Sequence, residues 1–362
     1  MLKGLMTCGK KAIDLGQYGN NQIILNTILS FGNSGVQMNK SFWRDKNILV
    51  TGATGVLGSR LAQYLAEQNS NVVILLRDIV PKSHLSFSGT IKKVNISRGD
   101  LENYRDIERT FNEYEIDTCF HLGAQTIVTT ANRSPLSTFE SNIKGTWNVL
   151  EAVRNSRLVE RLIVASSDKA YGEQKELPYT EDAPLHGSNP YDVSKVCTDL
   201  IAQTYYKTYK IPLAIARLGN IYGGGDLNFN RIVPGTIRSL LFNQRPIIRS
   251  NGTLVRDYFY VKDAVNAYLV LCQKLKSKNV IGQAFNFGSE KHLSVLEIVS
   301  KIANLMGKTK IKPKILNIAK GEIRKQWLNC EKATKILGWK PKYRLEDGLL
   351  ETIEWYKSFF NL

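Results

Sequence analysis

Tyr191 and Lys195 stand four residues apart in the run Tyr191-Asp-Val-Ser-Lys195, and on a helix residues i and i+4 share a face. A phenol of pKa about 10 is a poor base near neutrality. A cation beside it favours phenolate and makes it a usable acid/base group. The spacing alone is common, and by itself it reads as a surface Tyr and Lys. Upstream residues raise its meaning. A strand-like run from Arg161 ends in Ser166-Ser167, and far earlier stands Thr51-Gly52-Ala53-Thr54-Gly55-Val56-Leu57-Gly58. In that turn Gly52 permits the tight reversal, Gly55 lets backbone approach a pyrophosphate, and Gly58 lets helix and strand pack closely. Val56 and Leu57 open the helix whose first N–H groups face the phosphates. The expected cofactor is therefore a dinucleotide, and the charge of a nicotinamide ring would add to that of Lys195 in favouring the Tyr191 phenolate.

Those residues need a scaffold of strands and helices, and the chain supplies the alternation. Asn47–Val50 reads as a first strand and the residues after Gly58 as a helix. Val72–Leu76 is a second strand, followed by a helix around Tyr104–Tyr114 and strand-like 118–124. A helix near Thr138–Val153 leads to the strand-like run 161–167. Another covers Val193–Tyr209 before 212–220. Short apolar runs between amphipathic helices predict an α/β fold, a Rossmann-type doubly wound parallel sheet. From about Tyr222 the rhythm loosens into a Gly/Pro-containing, basic portion, expected to be a smaller C-terminal substrate-binding lobe over the carboxyl ends of the strands. The expected division is an N-terminal extension over 1–43, a dinucleotide-binding domain over 44–222 to which 259–288 returns, and a lobe made of 223–258 and 289–362. The loosely ordered extension, residues 1–37 above all, is expected to have no catalytic role.

The chain has 362 residues, 43% hydrophobic and 22% charged, enough for a sizeable core and far from a disordered composition. No apolar run reaches the length of about 18 residues that a membrane helix needs. Cys8, Cys119, Cys197, Cys272 and Cys330 show no CxxC pair and read as reduced thiols of a cytoplasmic protein. His84, His121, His186 and His292 form no metal-ligating pair, so no metal is expected. The net charge is +17, and residues 301–350 carry 13 Lys/Arg against 4 Asp/Glu. No nucleic-acid motif accompanies that surplus. It reads as solvated surface or as attraction for a phosphorylated small substrate. Neither nucleic acid nor membrane is expected as a partner.

The GxxGxxG turn, the strand ending in Ser-Ser and the YxxxK together resemble the extended short-chain dehydrogenases/reductases of the NAD-dependent epimerase/dehydratase type. That resemblance assigns Ser167, Tyr191 and Lys195 to catalysis, with Tyr191 and Lys195 also touching the cofactor. The second strand ends Leu76-Arg77-Asp78: Asp78 would hold the ribose hydroxyl of NAD, or Arg77 the extra phosphate of NADP, and NAD is favoured. Asp100-Leu101 is similar to the family's adenine-contacting pair, and Leu122-Gly123-Ala124 to its loop beside the cofactor. After Ser167 comes Asp168-Lys169, where 4-epimerases have small neutral residues and 4,6-dehydratases an acid/base pair. Ser-Asp-Lys resembles the CDP-glucose 4,6-dehydratases. So do His121-Leu-Gly-Ala-Gln125, Asn142-Ile-Lys-Gly-Thr146, Gly223-Gly-Gly-Asp226, Arg231-Ile-Val-Pro234 and Leu337-Gly-Trp339-Lys-Pro341. Arg256-Asp257-Tyr258 departs from them toward the general pattern of the superfamily.

The resemblance implies a nucleotide-sugar 4,6-dehydratase. Tyr191 would take the C4 hydroxyl proton as hydride leaves C4 for NAD. Lys169 would then remove the acidified C5 proton while Asp168 protonates the departing C6 hydroxyl, before hydride returns to C6. A base lysine must be depressed by burial, and a general acid beside a cation must still hold its proton. Gln125 would face the sugar, and Asn220, Arg231 and Arg256 the diphosphate. The family's helices around 138–153 and 193–209 imply a homodimer or higher oligomer. Two rival readings remain: a 4-epimerase or reductase on the same fold, needing neither Asp168 nor Lys169, and a non-catalytic dinucleotide- or nucleic-acid-binding protein.

Overall fold

The structure, a computed structural model, describes residues 40–319 and 321–362; the expected loose segment 1–37 lies outside them. The first six strands, all in the main sheet, are β1 (Asn47–Thr51), β2 (Asn71–Leu76), β3 (Asn95–Arg98), β4 (Thr118–His121), β5 (Arg161–Ala165) and β6 (Leu213–Leu218). After β6 come β7 (Asn220–Tyr222), β8 (Ile247–Ile248), β9 (Val255–Tyr260), β10 (Ala284–Phe287), β11 (His292–Ser294), β12 (Lys314–Ile315) and β13 (Lys325–Gln326). The seven-stranded sheet runs β10-β6-β5-β4-β1-β2-β3, every neighbouring pair parallel.

Helices cover both faces, so the strands read as unbroken apolar runs, and alternation sorts their side chains into two cores. Ile48, Val50, Ile74, Phe120 and Ile163 pack with Leu57, Leu61 and Leu65 of the helix Val56–Glu67 and with the buried helix Val261–Gln273. Leu49, Val73, Leu75, Leu162 and Val164 pack with Ile107 and Phe111 of Tyr104–Glu113 and with Val149, Leu150 and Val153 of Gly145–Asn155. Burying each such aliphatic side chain contributes about 1.5–3 kcal/mol. Strand order reverses between β1 and β4, and the crevice at their carboxyl ends is where ligands of open α/β sheets bind.

β9 organises the smaller sheet. Its first half pairs with β11 and β13, its second half with β7, while β8 and β12 form a separate two-stranded ribbon. Asn220 stands opposite Tyr258, and Gln326 opposite Arg256.

Three elements differ from the sequence reading. The expected helix 138–153 is Pro135–Phe139, a π-turn over Glu140–Lys144 and then Gly145–Asn155. Its bulge turns Ser141 toward Glu102 (2.7 Å) and Asn142 toward Gln125 and Ser194, a role π-bulges commonly have near functional sites. β4 ends at His121 because the N–H groups of Leu122 and Gly123 leave the ladder for the Thr51 hydroxyl, at 3.0 and 2.9 Å. β5 ends at Ala165, and Ser167 caps a short 3-10 turn over Asp168–Tyr171.

Candidate active site

The glycine turn leaves β1 at the reversal point. Gly52 sits at φ +70, and a Cβ there would lie 2.8 Å from the Gly123 backbone. A Cβ on Gly58 would collide with the Gly52 carbonyl. No side chain caps the helix that follows Gly55, so its first N–H groups are left for an anionic ligand. The cradle is therefore closed to side chains and open to a phosphate, which fits the pyrophosphate of a dinucleotide.

Thr51 ties this turn to the loop after β4. Its oxygen accepts both loop N–H groups, so its hydrogen goes to His121 Nδ1, 3.0 Å away. That puts the ring proton on Nε2, which donates to Thr146 Oγ1 (3.1 Å), and Thr146 donates to the Asn142 carbonyl. Burial pushes His121 down to about 3, so it stays a neutral relay. Asn142 completes the frame. Its Oδ1 accepts from Gln125 N (2.7 Å), and its Nδ2 donates to the Gln125 carbonyl (3.1 Å) and to Ser194 Oγ (2.9 Å). Ser194 in turn donates to the Tyr191 carbonyl at 2.7 Å. One buried asparagine thus fixes the loop Leu122–Gln125 against the helix that carries Tyr191.

Just past the end of β2, Arg77 and Asp78 are 57% and 67% exposed and pair at 2.7 Å. Arg77 also lies 4.0 Å from Asp100. Leu101 packs where Cβ atoms of Gly123 and Gly145 would otherwise stand, its carbonyl held by Asn148 at 2.7 Å. Gly52 thus abuts Gly123, Gly123 abuts Leu101, and Asp100 carries the line on to Arg77 and Asp78.

Tyr191 and Lys195 both lie on the helix Pro190–Tyr209 and are buried. Lys195 Nζ donates to the Ala165 carbonyl at the end of β5 (2.8 Å), and burial pushes it down to about 8. Tyr191 goes the other way. Burial pushes it up to about 12, with a hydrogen bond to Ser167 and the charge of Arg231 acting against that rise. The protein by itself therefore holds Tyr191 as a phenol, and the phenolate expected from the sequence calls for the charge of a bound nicotinamide as well as that of Lys195.

Beyond β5, Ser167 donates to Asp168 Oδ1 at 3.0 Å and accepts from the Lys169 backbone N–H at 3.2 Å. Lys169 Nζ pairs with Asp168 at 3.4 Å. Its amine is lowered from the ordinary lysine range by burial first and by Arg256, against the pull of Asp168 and Asp192. The expected acid and base thus form an ion pair beside Ser167 and Tyr191. The neighbouring Ser166 hydroxyl is buried without a partner.

The expected substrate residues approach from several sides. Arg231, at the start of the helix Ile232–Leu241, binds Asp226 at 3.0 Å and reaches Thr126 Oγ1 at 3.2 Å. Arg256 meets its own strand's Val255 carbonyl (2.9 Å) and Glu322 (3.4 Å). Asn220 Nδ2 and Tyr258 OH are both buried without partners, at paired positions of β7 and β9. Buried polar atoms are seldom left unpaired, and these two suit a polar ligand. Gln125 is different. Its side-chain oxygen turns back onto Ile127 N–H at 3.1 Å. Sequence reasoning passed over Thr51, Asn142 and Gln326 as functional positions. Thr51 opens the glycine turn and Asn142 opens the stretch Asn142-Ile-Lys-Gly-Thr146, but nothing local marks Gln326.

A model of the GDP-mannose 4,6-dehydratase family matches residues 49–352. The CDP-glucose 4,6-dehydratase of Salmonella typhimurium is 28% identical over 350 residues, 89% of this chain and 93% of its own. The structure of the Thermotoga maritima UDP-glucose 4-epimerase with UDP-glucose superposes with a TM-score of 0.79 at 28% identity, covering 86% of this chain and 99% of that one. The Bacillus anthracis dTDP-glucose 4,6-dehydratase, in complex with NAD, gives 0.77 at 27%, with 86% and 97% covered.

Proposed function

Since the chain belongs to the GDP-mannose 4,6-dehydratase family, among the NAD-dependent epimerases and dehydratases of the extended short-chain type, we propose that it is a nucleotide-sugar 4,6-dehydratase. CDP-glucose is the first substrate to try. The observation that carries this reading is the Asp168–Lys169 pair, placed at the end of β5 against Ser167 and Tyr191. An enzyme that only inverts C4 needs no second acid and base there.

NAD, which relatives bind in their solved structures, would be held by the glycine cradle and supplies a hydride acceptor that gives its hydride back within one turnover. The chain's residues handle the protons. Tyr191 and Ser167 meet the C4 hydroxyl, and Tyr191 moves its proton. Once C4 is a ketone the C5 proton is acidic, and the depressed amine of Lys169 takes it. Asp168, having first received the ammonium proton of Lys169 across their 3.4 Å pair, delivers it to the C6 oxygen as water leaves, and the C5 proton taken by Lys169 restores the ammonium–carboxylate pair. Lys195 holds the end of β5 through Ala165 and keeps a buried positive charge near the reaction. Asn220, Arg231 and Arg256 would grip the diphosphate, Arg231 and Arg256 as charged forks and Asn220 through its free amide. Gln125 would meet the sugar by releasing Ile127.

NAD is favoured over NADP because Asp78 already occupies Arg77 and its carboxylate repels a 2′-phosphate. A homodimer is supported by Leu136, Trp147, Leu200 and Tyr209, large side chains left exposed on neighbouring helices. Among the described residues no helix is long and apolar enough to cross a membrane, and Cys119, Cys197, Cys272 and Cys330 are free thiols. We read the setting as cytoplasmic.

Similar proteins include 4-epimerases as well as dehydratases, so the test must separate the two. The purified protein is incubated with CDP-, dTDP-, GDP- and UDP-hexoses and the products are read by mass spectrometry and NMR. Loss of one water with no net cofactor consumption establishes the dehydratase and its nucleotide. A sugar isomer of unchanged mass establishes the epimerase and makes Asp168–Lys169 structural.

A further inference from the structure

Gln326 belongs to β13, 157 residues from Lys169 in sequence. Its side chain is fully buried, and both ends of its amide serve the same short segment. Nε2 donates to the Asp168 carbonyl at 2.7 Å, and Oε1 accepts from Lys169 Nζ. The amide cannot be reversed, because its NH₂ would then face an ammonium and its oxygen a carbonyl. The strand around it is anchored twice to the loop that follows Lys169. Tyr179 N–H donates to the Trp327 carbonyl at 3.0 Å, and Asn329 N–H to the Tyr179 carbonyl at 2.9 Å.

We propose that Gln326 is a positioning residue for Lys169. The smaller sheet reaches across to the end of β5 and holds the amine through a neutral oxygen. The choice of an amide matters. A carboxylate at this place would orient the amine equally well but would stabilise its proton. The charged groups that face Lys169 are Asp168 on its own segment, Asp192 on the Tyr191 helix and Arg256 on β9, itself paired with Glu322. Two anions and one cation already bear on the amine, and a third anion would shift it back toward the ammonium form. A neutral acceptor leaves the amine oriented and still free to lose its proton. The role in C5 deprotonation rests on the dehydratase reading; the contact itself does not.

The test uses the full-length protein and the variants Q326E and Q326M, with folding checked by thermal melts. Competitive acetylation of lysines across a pH series, quantified on the Lys169 peptide, reports the titration of that amine without requiring turnover. Q326E is expected to slow Lys169 labelling at neutral pH about tenfold, a shift of about one pKa unit, and Q326M to change its rate by loss of orientation. With the nucleotide sugar identified above, both variants should slow water loss at least about tenfold while oxidation at C4 still proceeds, seen as reduced-nicotinamide absorbance that accumulates. A Lys169 titration identical in wild type and both variants, with wild-type water loss intact, overturns the positioning role alone. If Q326E does not fold, the Q326M labelling and water-loss rates decide by the same criteria. Absence of water loss from the wild type overturns the dehydratase reading and the C5 role with it, and the labelling then judges only the contact.

Discussion

Ser167 donates its single hydroxyl proton to Asp168, 3.0 Å from Oγ to Oδ1. The same oxygen accepts from the Lys169 N–H at 3.2 Å. Ser167 therefore has no second proton to offer a sugar oxygen. In the proposed dehydratase reaction, supporting the oxygen at C4 would mean turning away from Asp168, and that turn would free its carboxyl group for the oxygen at C6. The serine would then link the two proton transfers, and the link makes the variants of this segment separable in the laboratory.

Asp168→Asn keeps the shape and the acceptor for Ser167 but has no proton to deliver to a leaving hydroxyl. The expected result is a fall in overall turnover of about 10²–10⁴, with C4 oxidation preserved. Rapid-mixing absorbance should show reduced nicotinamide forming and persisting. Loss of oxidation and elimination together would place Asp168 in the framework.

Tyr191→Phe removes the group proposed to move the C4 proton. Both half-reactions should fall together, by about 10³ in kcat with KM changed only a few-fold. Burial holds this phenol near 12 in the protein alone, so a wild-type rate limited by its ionisation should rise with pH across the alkaline range.

His121 is pushed down to about 3 by burial. Between that value and 6.5 the unfolded chain binds a proton that the folded one does not, so stability is present above 6.5 and is lost as pH falls. The loss is about 1.4 kcal/mol per pH unit from this group. His121→Gln should flatten the slope of urea-unfolding stability between pH 6.5 and 5 relative to wild type. His84, also pushed down to about 3, leaves a residual slope in both proteins.

Thr51→Val leaves the N–H groups of Leu122 and Gly123 and the Nδ1 of His121 without their partner. With each stranded buried group costing about 1–3 kcal/mol, a lowered melting temperature is expected. Weakened NAD binding should accompany it, measurable by calorimetry, because the same oxygen sets the loop against the glycine turn.

Asp78→Ala should weaken NAD binding about tenfold, about 1.4 kcal/mol, and release Arg77 to meet a 2′-phosphate. NADP affinity should rise in the same variant. Equal losses for both cofactors would mean that Asp78 shapes the loop without reading the ribose.

What the sequence by itself determined is everything that depends on a few adjacent residues. The glycine spacing marks a βα turn with an open helix N-terminus, because each glycine answers a local steric need. The i, i+4 spacing of Tyr191 and Lys195 places them on one helical face, and the alternation of apolar runs with amphipathic helices dictates a parallel sheet covered on both sides. Ser167-Asp168-Lys169 took its expected roles from the family resemblance. Tertiary structure decided what those groups do to one another. That the Tyr191 hydroxyl is held up near 12, that Asn142 joins a loop to a helix through a π-turn, and that Thr51 ends β4 are consequences of burial and of partners distant in the chain. Gln326 shows the limit most plainly. Its meaning lies in two hydrogen bonds that span more than 150 residues, and no pattern within β13 records them. A strand's period of two tells which side chains share a face. Which remote segment meets that face is fixed only when the sheets have packed.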